Sequence, residues 1–321
     1  YDDIAGEPKP NKAKIINGYL VDSPLVFFDR ISSQVSKELE MFSGCKPTDG
    51  GNLLLSADEY IYLIAEEPLS EKYLRRFIGS KEFLNNIERW CLWFDGCDMV
   101  SLNKDLDKMP MVRQRIENVK NLRLASTKAS TVEKARTPHL FDETRHDHGN
   151  CIVIPVVSSE NRKYVPIGFL NHETVCSNLI FRLPHATLYH FGILSSSMHN
   201  AFMRLIGGRL KSDYRYSNSI VYNNFKYPFD ADNDDPKAKK AKESIEIAAQ
   251  NVLDARKFYQ DGSEDKLTLA KLYNTYMIDP YPNLTKAHIA LDKAVDKAYA
   301  YKGNGTDSHR SEFLLKRIVE A

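Results

Sequence analysis

Two hydrophobic periods run along this chain, and they change places near residue 230. Before that point, short apolar runs alternate with helical stripes. After it, only helical stripes remain. The first apolar run, residues 25–28 (Leu-Val-Phe-Phe), has the length and composition of a buried strand. Ser56-Ala57-Asp58-Glu59 is a capping box, in which the Ser hydroxyl takes the amide three residues on and the Glu reaches back. It predicts a helix from there to about Glu66, stopped before Pro68. A second helix is expected over residues 69–78, ending at Gly79. Residues 89–94 (Arg-Trp-Cys-Leu-Trp-Phe) form a strongly apolar strand candidate. Pro110 suits the first turn of a helix, and Val112, Ile116, Val119 and Leu122 or Leu124 then recur at helical spacing to about residue 125.

Residues 151–157 and 164–170 are apolar runs around the polar, basic stretch 158–163, which predicts a β-hairpin. Residues 178–183 add a strand. Residues 195–207 read as a helix with Met198, Ala201, Phe202, Leu205 and Ile206 inward. Residues 221–229 read as extended and aromatic. Asp232-Asn233-Asp234-Asp235-Pro236 is a hinge or helix start, and four helices are expected over about 236–259, 267–273, 284–299 and 307–319. Ile245, Ala248, Ala249, Val252 and Leu253 make one stripe, and Ala287, Leu291, Ala294, Val295 and Ala298 another. The expected class is α+β: a mixed α/β domain over residues 25–230, a helical bundle over 231–321, and a polar linker over 1–24 with Pro8 and Pro10. No internal repeat is visible.

Composition adds little to this picture: 321 residues, 42% hydrophobic and 27% charged, describe a globular chain with ample length for a core. No apolar run approaches a membrane span, and the acidic Tyr1-Asp2-Asp3 start lacks a signal-peptide core. The first residue is not Met, so the chain is expected to be a piece of a longer one. Five scattered cysteines without a C-x-x-C argue against a disulfide framework or zinc site and fit a reducing cytoplasm. Charge changes the picture more. The net charge of +1 hides an asymmetry, with 11 Lys/Arg against 17 Asp/Glu in residues 1–100, 18 against 11 in 101–230, and 15 against 15 thereafter. A basic middle favours polyanions by counterion release, although a solvated surface accounts for the same charges.

Candidate catalytic motifs fall away on inspection. No G-x-G-x-x-G or Walker loop is present. Asp279-Pro280-Tyr281-Pro282 resembles a D-P-P-Y loop with one Pro displaced, but no apolar strand precedes it, and an interhelical turn explains it better. Glu264-Asp265-Lys266 stands at a helix start, where capping accounts for it. His146-Asp147-His148 lacks a third metal ligand at fitting spacing. Ser195-Ser196-Ser197 precede a helix and should cap it. His199 is read as a groove or surface side chain, not as the general base of a Ser195 hydrolase.

The positive signal is residues 207–217, Gly-Gly-Arg-Leu-Lys-Ser-Asp-Tyr-Arg-Tyr-Ser. Two glycines permit a sharp reversal after the preceding helix. Lys211 and Asp213, two apart on an extended chain, share a face. Lysine can donate to guanine O6 and N7, and aspartate can accept from the cytosine amino group, so the pair matches a G·C base pair in the major groove. On the residues alone, a surface strand carrying an ion pair accounts for them as well.

Several ordered strings bring a resemblance: "PTDGGNLLLSADE" (residues 47–59), "EPLSEKYLRRFIGSKEF", "RWCLWF", "SSENRKYVPIGFL", "FGILSSSMHNAF", "GGRLKSDYRYS", "VYNNFKYPF" and "AHIALDKAVDKAYAY". Spread along the whole chain, they make it resemble the C-terminal portion of MmeI-like restriction–modification enzymes and related single-chain adenine-N6 DNA methyltransferases. The chain departs from the family pattern at Phe225-Lys226-Tyr227-Pro228, where F-P-W-P is usual, and at Asn17-Gly18-Tyr19-Leu20, where N-P-Y-L is usual.

The resemblance implies a target-recognition domain followed by a helical domain, with the S-adenosylmethionine loop and the catalytic N-P-P-Y-type loop upstream of these residues. It implies no cofactor within this chain, duplex DNA and the upstream methyltransferase domain as partners, and a parent enzyme that flips the target adenine. It makes the residues flanking the Ser of G-R-L-x-S-x-Y, here Lys211 and Asp213, readers of one base pair. Phosphate or groove contacts are then expected from Arg209, Ser212, Arg215, Tyr216, Ser158, Ser159, Arg162, Lys163, Arg123 and Lys128. The alternatives are the equivalent region of a nuclease-free phage-defence methyltransferase and a protein-interaction module using the helical C-terminus.

Overall fold

A computed structural model of the chain describes residues 12–146, 149–263, 267–274 and 280–319. The readings of His146-Asp147-His148, Glu264-Asp265-Lys266 and Asp279-Pro280-Tyr281-Pro282, and of the first eleven residues of the linker, fall wholly or partly outside them. The fold is α+β with a helical C-terminal region. It comprises two compact units: residues 42–151 with 170–182, and residues 12–41, 152–169 and 183–319.

The first of these units is built on a four-stranded sheet in the order Leu54–Ser56, Arg89–Leu92, Leu74–Ile78, Val175–Cys176. Leu54 faces Cys91 and Leu74 faces Leu92 across antiparallel ladders, while Phe77 pairs with Val175 in parallel. Ser56 caps the helix Ala57–Glu66 as its sequence demands, its hydroxyl accepting from the Glu59 amide and its own amide donating to the Glu59 carboxylate. Pro110 opens the helix Pro110–Leu124, whose Val112, Ile116 and Val119 are buried against Leu53, Leu63 and Phe94. Glu67 caps that helix from a distance, accepting from the Met111 and Val112 amides.

Two expectations are corrected in these regions. Residues 69–78 do not form a second helix; a 3₁₀ turn, Pro68–Tyr73, leads into the strand Leu74–Ile78. The stretch has usable helix propensity, but ladder partners on both sides outweigh it. Residues 25–28, in the other unit, belong to no strand, and Leu25 and Phe27 are 67% and 72% exposed.

In the second unit, residues 152–155 lie beside residues 168–169 in one sheet. The two apolar runs of the expected hairpin therefore do lie side by side, but Val157–Ser158 leaves that sheet for another. Two consecutive helices follow, Leu188–Ser195 and Ser197–Ile206, where one was expected from residue 195. Residues 221–229 are not extended: Asn218–Tyr222 makes a short π-helix whose Val221 and Tyr222 are buried. The C-terminal helices Pro236–Asp261, Leu269–Leu272, Pro282–Ala298 and Asp307–Val319 fall close to their stripes. They share a compact unit with the helices Leu188–Ser195 and Ser197–Ile206. Gly192 explains the closeness: a Cβ there would lie 2.5 Å from Ile245 Cγ2 and 3.3 Å from Leu291 Cδ1.

Candidate nucleic-acid interface

Residues 207–217 fold into the hairpin that carries the site. The helix Ser197–Ile206 ends at Gly207, whose amide donates back to the Met203 carbonyl at 2.8 Å. A side chain at 207 would meet that carbonyl oxygen at 2.4 Å, so the reversal requires glycine. The strands Gly208–Leu210 and Asp213–Arg215 then pair with Leu210 opposite Asp213, and Val157–Ser158 completes a three-stranded sheet. Lys211 and Ser212 form the two-residue loop. Of these two only Lys211 has positive φ, at 57°, a backbone conformation that tight two-residue hairpin loops use.

This geometry corrects the expected register. Lys211 and Asp213 do not lie on one extended segment; Lys211 is at the loop tip and Asp213 opens the returning strand. Both still reach outward from the same end of the hairpin, with Lys211 and Ser212 exposed and Asp213 half-buried. Asp213 is held there by a bond that sequence reasoning missed: its Oδ1 accepts from the Glu160 amide at 3.3 Å. The Arg162 guanidinium also faces this carboxylate. Burial pulls the Arg162 pKa below its usual range, and the Asp213 charge partly offsets the effect. Arg162 Nε finds no acceptor among the described residues.

Strand alternation decides which other expected residues can reach a ligand. Arg215 shares a face with Asp213 and is exposed. Tyr214 points the other way and is buried, and its cross-strand partner Ser158 is 3% exposed. Tyr216, two residues on, is buried as well, with its hydroxyl 2.8 Å from His199 Nε2. Ser158 and Tyr216 are therefore corrected from ligand contacts to residues under the sheet. His199 is corrected too: it is 3% exposed, its ring meets Phe225 edge-on, and burial holds its pKa down at about 3. It is a neutral core histidine.

Arg209 is committed to the hairpin, stacking 3.7 Å over the Tyr214 ring and donating to the Ser212 carbonyl at 2.7 Å, with Glu160 at 3.9 Å. Ser159 shapes the neighbouring loop, its hydroxyl accepting from Asn161 and its carbonyl from the Arg162 amide. Lys163 is exposed.

The two remaining residues belong to the other compact unit. Lys128 is exposed. Arg123 is the clearest correction: it is fully buried and donates to the carbonyls of Pro47, Thr48, Lys134, Thr137 and Leu140. Its five donors are all engaged, so it ties loops together and offers nothing to a phosphate.

No group of three or more His, Cys, Asp or Glu among the described residues could hold a metal ion. Tyr281 immediately precedes the helix Pro282–Ala298. Among the described residues, no helix is long and apolar enough to cross a membrane.

The same residues match known proteins. Residues 22–229 match the model of the MmeI target recognition domain, and residues 237–320 that of the MmeI C-terminal domain. DNA methyltransferase A of Bacillus subtilis (strain 168) is 37% identical over 307 residues, covering 95% of this chain. The chain spans about a third, 32%, of that relative's length. The solved structure of the Type IIL restriction-modification enzyme MmeI in complex with DNA superposes with a TM-score of 0.87 at 41% identity, covering 100% of this chain and 41% of that one. This chain belongs to the MmeI family, of which it carries the target recognition domain and the C-terminal domain.

Proposed function

We propose that this chain recognises duplex DNA by sequence, on behalf of an adenine-N6 DNA methyltransferase of restriction–modification type whose methyl transfer is carried out elsewhere in a longer cytoplasmic protein. S-adenosylmethionine is the methyl donor of such an enzyme. The observation that carries the reading is the hairpin itself. It presents a donor-only cation, Lys211, a hydroxyl, Ser212, and an acceptor-only carboxylate, Asp213, at one solvent-facing end. A two-stranded ribbon of this kind fits the major groove.

Lys211 on guanine and Asp213 on cytosine read one G·C pair. Arg162 and the exposed Arg215, Lys163 and Lys128 supply phosphate contacts, which set register without specifying sequence. Asp213 has one carboxylate oxygen on the Glu160 amide, which leaves the other for the cytosine amino group.

The test is a polarity swap in the full-length enzyme, read by sequencing its methylated sites. Lys211→Glu with Asp213→Arg should invert one position of the motif from G·C to C·G. Because Arg162 faces residue 213, the swap is made in an Arg162→Gln background, with Arg162→Gln alone as control. Each good base contact contributes roughly 1–3 kcal/mol of discrimination, about one to two decades. A motif identical to that of the control refutes the assignment of these two residues. A change at a different position means that the hairpin reads DNA in another register.

A further inference from the structure

The helix Ser197–Ile206 carries a residue that the reading above leaves idle. Arg204 is largely buried, its side chain 16% exposed, and no base or phosphate role falls to it. Its guanidinium meets three separate pieces of the chain. One Nη donates to the carbonyl of Lys163, in the loop that also holds Glu160 and Arg162. The other Nη pairs with the carboxylate of Asp307, the first residue of the helix Asp307–Val319. The guanidinium carbon sits 5.8 Å from the centre of the Tyr214 ring, the middle residue of the returning hairpin strand. Loop, hairpin and C-terminal helix thus meet on a single side chain.

The geometry points to Arg204, anchored by Asp307, as a positioning residue for base reading: it fixes the loop 158–163 against the hairpin, and with it the orientation of Asp213. The inference rests on the DNA-reading function proposed above and deepens it. Asp213 is oriented by the Glu160 amide, so the distance between loop and hairpin determines where its carboxylate points. Base readout tolerates displacements of only about 0.5 Å. Arg204 meets both the loop backbone and the hairpin from beneath the sheet, on the Tyr214 side.

A plain stabilising ion pair is the competing account. Asp307 is 47% exposed, and pairs that open to solvent add little to stability. Two further ties support the helix independently, since Asp292 accepts from the Ser197 amide at 2.7 Å and Asn200 accepts from the Val165 amide at 2.9 Å. The helix therefore keeps its place without Arg204, while residues 159–163 of the loop, beyond the Val157–Ser158 ladder, lose one of their ties to the hairpin side.

The experiment uses the full-length protein carrying Arg204→Met, Asp307→Asn, both together, or Arg204→Lys. Affinity is measured on a duplex with the modified motif, on one with the Lys211/Asp213 base pair exchanged, and on unrelated duplex across a salt series; melting temperature is recorded for each variant. Wild type should prefer the intact motif over the exchanged one by roughly ten- to a hundredfold. Arg204→Met should reduce that ratio to about threefold or less, with affinity for unrelated duplex and its salt slope unchanged. Asp307→Asn should act in the same direction, and the double variant should be no worse than Arg204→Met, because both act through one contact. Arg204→Lys retains the charge and should recover part of the ratio.

An unchanged ratio in both Arg204→Met and Asp307→Asn overturns the inference. So does a parallel loss on all three duplexes with a salt slope shallower by about 0.9, which marks a direct phosphate contact. If Arg204→Met alone fails to fold, Asp307→Asn and Arg204→Lys decide the matter by the same ratio. A wild type that shows no preference between the intact and exchanged duplexes refutes the underlying function instead, and does so before any variant is compared.

Discussion

Arg123→Met gives the sharpest separation between a structural and a DNA-contacting arginine. Its Nη2 donates to the Pro47 and Leu140 carbonyls at 2.8 and 2.9 Å, Nη1 to Lys134 and Thr137 at 3.0 and 3.2 Å, and Nε to Thr48 at 3.0 Å. Burial pulls its pKa down and the charges of Asp142 and Asp49 push it back up, as expected of a desolvated cation held by carbonyl dipoles. Methionine keeps most of the volume and removes all five donors. Hydrogen bonds to charged groups contribute about 1.5–3 kcal/mol each, but five do not add, because freed loops can let water reach their carbonyls. Losses of about 3–5 kcal/mol are typical when a buried charged network is broken, a large fraction of a domain's ~5–15 kcal/mol.

Both tryptophans of the chain, Trp90 and Trp93, lie in the same compact unit as Arg123, so their fluorescence reports this unit directly. With a urea slope of about 3 kcal/mol per molar, the midpoint should fall by about 1–2 M. An unchanged midpoint, accompanied by weaker DNA binding and a shallower salt slope, would show that Arg123 reaches a phosphate and that its burial here is wrong.

Three further outcomes are expected. Gly192→Ala gains about 1 kcal/mol of helix propensity but drives a methyl into Ile245 Cγ2 at 2.5 Å; overpacking of about 1–3 kcal/mol wins, and the variant should melt lower than wild type. Acid should destabilise the protein below about pH 6.5, because burial holds the His199 pKa at about 3 and His288 well below its usual value, so that the unfolded chain binds protons the folded one refuses. His199 then costs about 2 kcal/mol between pH 7 and pH 5, and His199→Phe should flatten the denaturation profile by about one proton. Gly44→Ala places a Cβ 2.3 Å from the Ser177 carbonyl oxygen, a backbone atom that cannot rotate away, and should lower stability by more than Gly192→Ala does.

The elements that the sequence revealed are those whose cause is local. Ser56 and Glu59 lie three residues apart, so the capping box can be read and placed to the residue. The C-terminal helices follow from stripes of period 3.6, and Asp307–Val319 falls on its expected bounds. The misreadings share the opposite cause. Leu74–Ile78 is a strand because Arg89–Leu92 and Val175–Cys176 flank it, and the latter is nearly a hundred residues away in sequence. Arg123 stood in a basic, helical context and looked like surface; its five carbonyl partners come from residues 47–48 and from the 3₁₀ turn and loop over 134–140, which no periodicity announces.

The candidate site divides along the same line. Gly207-Gly208 and the alternation of charged and small residues announced a reversal with an outward end, and the hairpin is there. Its register was misjudged because a positive φ at Lys211 cannot be read from a lysine: without glycine or asparagine at that position, an extended strand was the natural expectation. Turning the chain at Lys211 puts Tyr214 and Tyr216 inward and leaves Asp213 and Arg215 outward. It also hands control of Asp213 to a loop about fifty residues earlier, through the Glu160 amide. A reader built this way need not be retuned only at the residues that touch the base. A change at Glu160, Arg162 or Arg204 alters where the carboxylate points, so the residues that determine preference form a larger set than those that face the groove.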